Sequence, residues 1–153
     1  MRSRVELDRL DLAIVRELER DGRQTVSDLA KRVGASRNHV AGKLRRLLEQ
    51  RVIKVHAWAD PALLGLVSSA MIGINVLPRE TKQVAESLKA FPNVHLVSIV
   101  AGRYDIVIWV IFDSAAELSR FLTEDLAQIP GITRTESSVV LENHKASFKY
   151  LAP

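Results

Sequence analysis

Leu29-Ala30-Lys31-Arg32-Val33-Gly34-Ala35-Ser36-Arg37-Asn38-His39-Val40-Ala41-Gly42-Lys43-Leu44-Arg45-Arg46-Leu47-Leu48, residues 29–48, joins two apolar-patterned segments through a glycine turn. Upstream, Thr25 with Asp28 three residues on resembles a capping box, and Leu29, Ala30 and Val33 are the buried side of a short helix that stops at Gly34. Downstream, Ser36 caps a helix running to about Gln50, with Val40, Leu44, Leu47 and Leu48 in one stripe at the 3.6-residue period. A first helix near 8–21 precedes both: Leu7, Leu10, Ile14 and Leu18 recur at three- and four-residue spacing, Asp8 is its N-cap, and Asp21-Gly22 stops it. Helix, short glycine turn, helix is the arrangement that lays a helix in the major groove of duplex DNA.

Charge is concentrated on the same segment. Residues 1–60 carry 14 Lys and Arg against 9 Asp and Glu, residues 61–153 only 8 against 9, and residues 30–54 alone are at +7. So dense a cluster on a short element is a phosphate-facing surface when the element is also a candidate DNA reader. At about 100° per residue, the face opposite Val40, Leu44 and Leu47 presents Asn38, His39, Gly42, Arg45 and Arg46. Asn38 can give and take hydrogen bonds at adenine, Arg37 or His39 can approach guanine or a phosphate, and the later arginines hold phosphates. Gly42 costs the helix about 1 kcal/mol relative to alanine, and its missing side chain leaves room for close approach to DNA.

The remaining composition excludes other classes. No stretch approaches the roughly 20 apolar residues of a membrane span, and the first residues lack a signal peptide's apolar run, so a cytoplasmic protein is expected. There is no cysteine, and the histidines, 39, 56, 95 and 144, are too far apart for local metal pairs; neither a metal nor a cofactor is expected. The seven glycines form no GxGxxG, no GxxxxGK[ST] and no GxSxG elbow.

Residues 53–59 favour β structure and read as a connecting strand in search of a partner, with Trp58 as a packing residue and Asp60-Pro61 as punctuation. Beyond them the pattern is strand (70–76), helix (Val84, Ala85, Leu88 and Phe91 on one face), strand (94–101), strand (106–112), helix, strand (132–142). Gly102-Arg103-Tyr104-Asp105 joins the middle strands, and Ser114 to Glu117 is a capping box for the second helix, whose stripe is Leu118, Phe121, Leu122, Leu126 and Ile129. The order β-α-β-β-α-β is the ferredoxin-like arrangement, giving an α+β protein overall. Ile106 to Phe112 is apolar at odd and even positions alike, whereas helices cover one face of such a sheet; sheet-against-sheet dimerisation is expected.

Leu10-Asp11, Ile14, Leu18, Asp21-Gly22-Arg23, Leu29-Ala30, Val33-Gly34, Ser36, Lys43 and Arg46 flanking Leu44, and Val52-Ile53 together resemble the DNA-binding half of Lrp/AsnC regulators, the leucine-responsive, feast/famine type. The resemblance continues through Asp60-Pro61 and Leu64-Gly65 into Gly102-x-Tyr104-Asp105, Pro130-Gly131-Ile132 and Thr135, which look like the family's RAM effector-binding domain. It implies a winged-type helix-turn-helix domain over 1–52, a connecting strand and linker over 53–66 that pairs with a second subunit, and an effector-binding and oligomerisation domain over 67–153. The DNA-binding residues it implies, with the helix reading, are Ser36, Arg37, Asn38, His39, Gly42, Lys43, Arg45, Arg46 and Arg51; Arg51 stands where the family usually has glycine. Near the hairpin the family binds small amino acids, so Gly102, Arg103, Tyr104 and Asp105 are the candidate effector site. Asp105 is placed to meet an ammonium, Arg103 a carboxylate, or Asp105 caps backbone donors without a ligand.

The resemblance further implies double-stranded DNA as partner, a homodimer with octamers common in the family, no catalytic residue, and a prokaryotic, nucleoid-associated location when DNA-bound. Siroheme decarboxylases share the two-part look, and for that enzyme reading only His95, His144 and Arg134 are available. A module that binds amino acids and regulates without DNA is the third reading.

Overall fold

Asp8 accepts the Asp11 amide at 2.9 Å while Asp11 accepts the Asp8 amide at 3.0 Å, and this closed capping box starts α1, Arg9–Arg20. This geometry is taken from a computed structural model, which describes residues 5–57 and 59–144. The chain divides into two compact units, one leading up to residue 57 and one over 59–144. Trp58 and the end of the expected second domain, from 145 on, lie outside the described residues.

In the first unit α2, Val26–Val33, is capped by the Thr25 hydroxyl and ends at Gly34 with φ 68°, a left-handed turn that glycine adopts freely. Ser36 accepts the His39 amide and starts α3, Arg37–Glu49. Ile14, Leu29, Ala30, Val40 and Leu47 form the buried centre of the three-helix unit, with Leu10, Leu18, Val33 and Leu44 packed around it. Each fully buried Leu or Ile contributes about 1.5–3 kcal/mol, so the core decides which face of α3 turns inward.

α3 ends in a Schellman motif, in which the Val52 amide reaches the Leu47 carbonyl and the Arg51 amide the Leu48 carbonyl, while Val52 packs back on the core. The motif needs a left-handed residue, and Arg51 takes that position at φ 53°. The strand expected over 53–59 is absent among the described residues of that segment: 53–57 and 59 belong to no ladder. A strand needs a neighbour to take its amides and carbonyls, and among the described residues β pairing begins only at Ser68. The described part of the first unit is accordingly all-helical, without the wing strand.

The second unit opens with a 3₁₀ turn at Ala62–Leu64 and continues as β1 (Ser68–Val76), α4 (Thr81–Leu88), β2 (Val94–Ile99), β3 (Ile106–Phe112), α5 (Ala115–Arg120) and β4 (Ile132–Val139). The strands lie in the order β2-β3-β1-β4, every pair antiparallel, which is the ferredoxin-like sheet. Ala70, Ile72, Ile74 and Val76 of β1 and Ile106, Ile108, Val110 and Phe112 of β3 are buried in one core with Val84, Leu88, Leu118 and Phe121. After α5 the chain widens into a π turn, Phe121–Asp125, closed by the Leu126 amide on the Phe121 carbonyl. The wider turn lets Phe121 and Leu126, five residues apart, both enter the core.

The other sheet face is not covered by the helices. Met71, Gly73 and Asn75 of β1 and Val107 and Trp109 of β3 lie on it, with Leu96 of β2 opposite Trp109. Met71 and Leu96 are exposed, and Val107 and Trp109 are partly so.

Replacing Arg51 by glycine is expected to raise stability by about 0.5–1 kcal/mol, because it removes a left-handed non-glycine backbone. Urea unfolding checks this; a destabilised variant would show that the Arg51 side chain makes an offsetting contact.

Candidate nucleic-acid interface and effector hairpin

Val40 and Leu47 anchor one side of α3 in the core, so the opposite side faces solvent. Asn38, His39, Gly42 and Arg45 are exposed there; Ser36 and Arg37 at the helix start and Arg51 beyond its end are exposed as well. A shallow groove of about 410 Å³ runs over Asn38, His39, Gly42, Lys43 and Arg46. Outside its own stretch of helix backbone, nothing lies within 4 Å of where a Cβ at Gly42 would stand, so this point of the helix surface is open.

Lys43 and Arg46 are placed differently from the rest. The Lys43 ammonium contacts the Asp8 carboxylate and lies 3.4 Å from Asp11, and the Arg46 guanidinium reaches Asp11 at 2.5 Å. The Asp11 side chain is 1% exposed and that of Lys43 only 17%. Within this cluster Asp11 Oδ1 and Arg46 Nε are buried without a hydrogen-bond partner. The Lys43 hydrogen bond and the Asp11 amide hold the Asp8 carboxyl down at about 2. Burial pushes Asp11 up, but the Asp8 amide, Arg46 and Lys43 outweigh it and leave it below the ordinary carboxylate value. Lys43 is raised, chiefly by its hydrogen bond to Asp8.

Asp8 and Asp11 enter the sequence reading only as a cap and as a matching residue, yet a signal for the pairing exists. Two acids three residues apart on α1 meet two bases three residues apart on α3, so each pair lies on one side of its helix.

At the hairpin, Gly102 has φ 149°. Asp105 Oδ2 accepts the Val76 amide at 3.0 Å, and Asn75 Nδ2 donates to the Arg103 carbonyl at 2.9 Å, so the hairpin is tied to β1. One carboxylate oxygen of Asp105 is thus engaged in capping a backbone donor. The Tyr104 ring lies against Gly73, where a Cβ would come within 2.6 Å of ring carbons. Burial raises the Tyr104 hydroxyl, and a hydrogen bond with Glu136 raises it further. Glu136 also takes Arg103 at 2.8 Å and Arg134 at 3.4 Å. Gly73, Asn75 and Glu136 are the residues that sequence reasoning missed here. Only strand register, which sets Gly73 beside Glu136, brings them to the hairpin.

The residues of the enzyme reading do not converge. His95 lies on β2 beside Trp109, and Arg134 lies on β4, at opposite edges of the sheet; His144 lies beyond β4 near Glu142. Among the described residues no three His, Asp or Glu side chains form a metal-ligand group, and no helix is long and apolar enough to cross a membrane.

A helix-turn-helix with an exposed basic face, followed by a ferredoxin-like unit, defines a two-domain transcriptional regulator. Residues 7–48 match the AsnC-type helix-turn-helix domain and residues 69–150 the Lrp/AsnC ligand binding domain. The chain belongs to the Lrp/AsnC family. It is 38% identical over 138 residues to the HTH-type transcriptional regulator PH0140 of Pyrococcus horikoshii, covering 90% of this chain and 87% of that one. It superposes on the leucine response regulatory protein LrpA of Mycobacterium tuberculosis with TM-score 0.86 at 31% identity, covering 95% and 99% of the two chains. The fold is also that of the Neisseria meningitidis regulator NMB0573, solved as an L-Met complex, with TM-score 0.84, 24% identity and coverage of 94% and 95%. The protein is a DNA-binding transcriptional regulator and not an enzyme.

The acid response of the first unit follows from its carboxylates. Asp8 and Asp11 lie below the ordinary 3.8, so the stability they confer is present above that pH and lost as pH falls toward 2. Asp11→Ala is expected to cost about 2 kcal/mol at pH 7, between an exposed pair and a buried one, since Arg46 keeps some access to water. Asp11→Asn is expected to flatten the fall in Tm between pH 4 and 2, and a melting curve as steep as the wild type's would contradict the assignment.

Proposed function

We propose that α3 is the recognition helix and reads duplex DNA with its first turn in the major groove. Asn38 faces bases, Arg37 and His39 face bases or phosphates, Gly42 lets the backbone come close, and Arg45 and Arg51 hold phosphates. The observation that carries this reading is the joint exposure of Asn38, His39, Gly42 and Arg45 on the side of α3 away from Val40 and Leu47, with Arg37 exposed at the helix start. Ser36 serves the helix start. Such a regulator works in the cytoplasm, on the nucleoid when bound. Asn38→Ala is expected to weaken a specific site more than random duplex, and Arg45→Ala to weaken both alike. Binding isotherms on genome-selected and random DNA decide it, and equal losses for Asn38→Ala would remove that residue from base reading.

The second unit, in the same reading, assembles copies and binds an effector. The uncovered face with Met71, Leu96, Val107 and Trp109 is the dimer surface, which brings two recognition helices to half-sites about one helical turn apart; four dimers closing into an octamer is the larger assembly. Residues 53–59 gain their strand neighbour from the second subunit. A small amino acid is the effector, received at Gly102, Arg103, Tyr104 and Asp105, and the L-Met complex of a protein of the same fold makes the amino acids the first ligands to screen. The Asp105 oxygen not engaged by Val76 meets the ammonium, or Arg103 meets the carboxylate after leaving Glu136. Light scattering is expected to give a multiple of 17.1 kDa. At least one of the twenty amino acids is expected to shift that size or the DNA affinity, because a ligand acts only through different affinity for two states. A monomer at micromolar concentration, or a screen without effect, would remove the corresponding part.

A further inference from the structure

The sequence counts Lys43 and Arg46 among the cations of α3, but their charges are already answered within the unit. Asp8, Asp11, Lys43 and Arg46 sum to zero, and the acids come from α1 rather than from the helix that faces DNA. The two kinds of pair differ. Asp11 is closed to water and takes Arg46 at 2.5 Å, with Lys43 3.4 Å away, so the Arg46 pair is built into the packing. Asp8 is different: its side chain is 56% exposed, while the Lys43 stem is held at 17%. An ion pair with one exposed partner adds little to stability, so the charge of Asp8 can be removed without dismantling the unit.

We propose that Asp8 is an internal counter-ion that withholds Lys43 from DNA phosphates and thereby sets the ionic-strength dependence of binding. The proposal rests on the DNA-binding reading of α3. Asp8 touches no DNA in it; it acts through Lys43 and is a positioning residue. Counterion release scales with the phosphates a protein neutralises, so a lysine paired with Asp8 adds nothing to the slope, and a lysine freed from it adds one contact.

Asp8→Asn separates this role from the structural one. Asparagine is as good an N-cap as aspartate and still offers an oxygen to the Asp11 amide, so α1 keeps its start while the charge is lost. The probe is a random-sequence duplex of about three helical turns, because the electrostatic contribution does not depend on sequence. The log–log salt slope is expected to steepen by about 0.9 and affinity at 0.1 M salt to rise roughly eightfold. Adding Lys43→Met to Asp8→Asn is expected to return the slope to the wild-type value. A merely structural role for Asp8 would move the melting temperature and not the slope. If Asp8→Asn fails to fold, Asp8→Ser, also a neutral cap, takes its place. An unchanged slope in the folded single variant, or a steep slope retained in the double variant, overturns the proposal. Wild-type protein that binds no duplex at low salt overturns the DNA-binding reading itself and this proposal with it, and that measurement comes first.

Discussion

The first unit depends on how one buried carboxylate is answered. Asp11 is enclosed in a three-helix unit whose apolar core is small, and a charge so placed is tolerated only with partners around it. Its partners come from two directions: the Asp8 amide from its own helix, and Lys43 and Arg46 from α3. Hydrophobic burial of Val40 and Leu47 holds α3 on the unit and sets which face turns inward. The ion pairs are directional, and they mark which flank of α3 turns toward α1. The face left over is the one that bears Asn38, Gly42 and Arg45.

The second unit shows the same division between packing and polar placement. Alternation along β1 and β3 puts Ile72, Ile74, Ile106 and Ile108 under the helices and leaves Met71, Val107 and Trp109 on the other side. At the hairpin end of that open side the apolar surface gives way to Asn75, Arg103, Tyr104, Asp105 and Glu136. Tyr104 lies flat over the strand only because Gly73 has no side chain, and Asp105 holds the turn by capping the Val76 amide. The polar groups there are already engaged with one another.

Much of this was legible in the residues. Asp8, Thr25, Ser36 and Ser114 start their helices as read, and Gly34 ends α2 as read. The order of strands and helices and the inward faces of both core helices also follow from periodicity. The connecting strand over 53–59 did not form in the single chain, because its β preference states what the segment can do and supplies no neighbour to pair with. The Arg51 position was readable only through the family's glycine, and its left-handed backbone is set by the Schellman hydrogen bonds.

Sequence by itself determined the two-unit plan, the helix-turn-helix and the ferredoxin-like order, because caps, turns and hydrophobic period act within a few residues. Tertiary structure decided which functional side chains are free. Lys43 and Arg46 meet acids 32 to 35 residues away, and Asp105 meets an amide 29 residues away. A charge count along the chain treats every cation alike, whereas only the packed arrangement brings each one to, or keeps it from, its counter-ion.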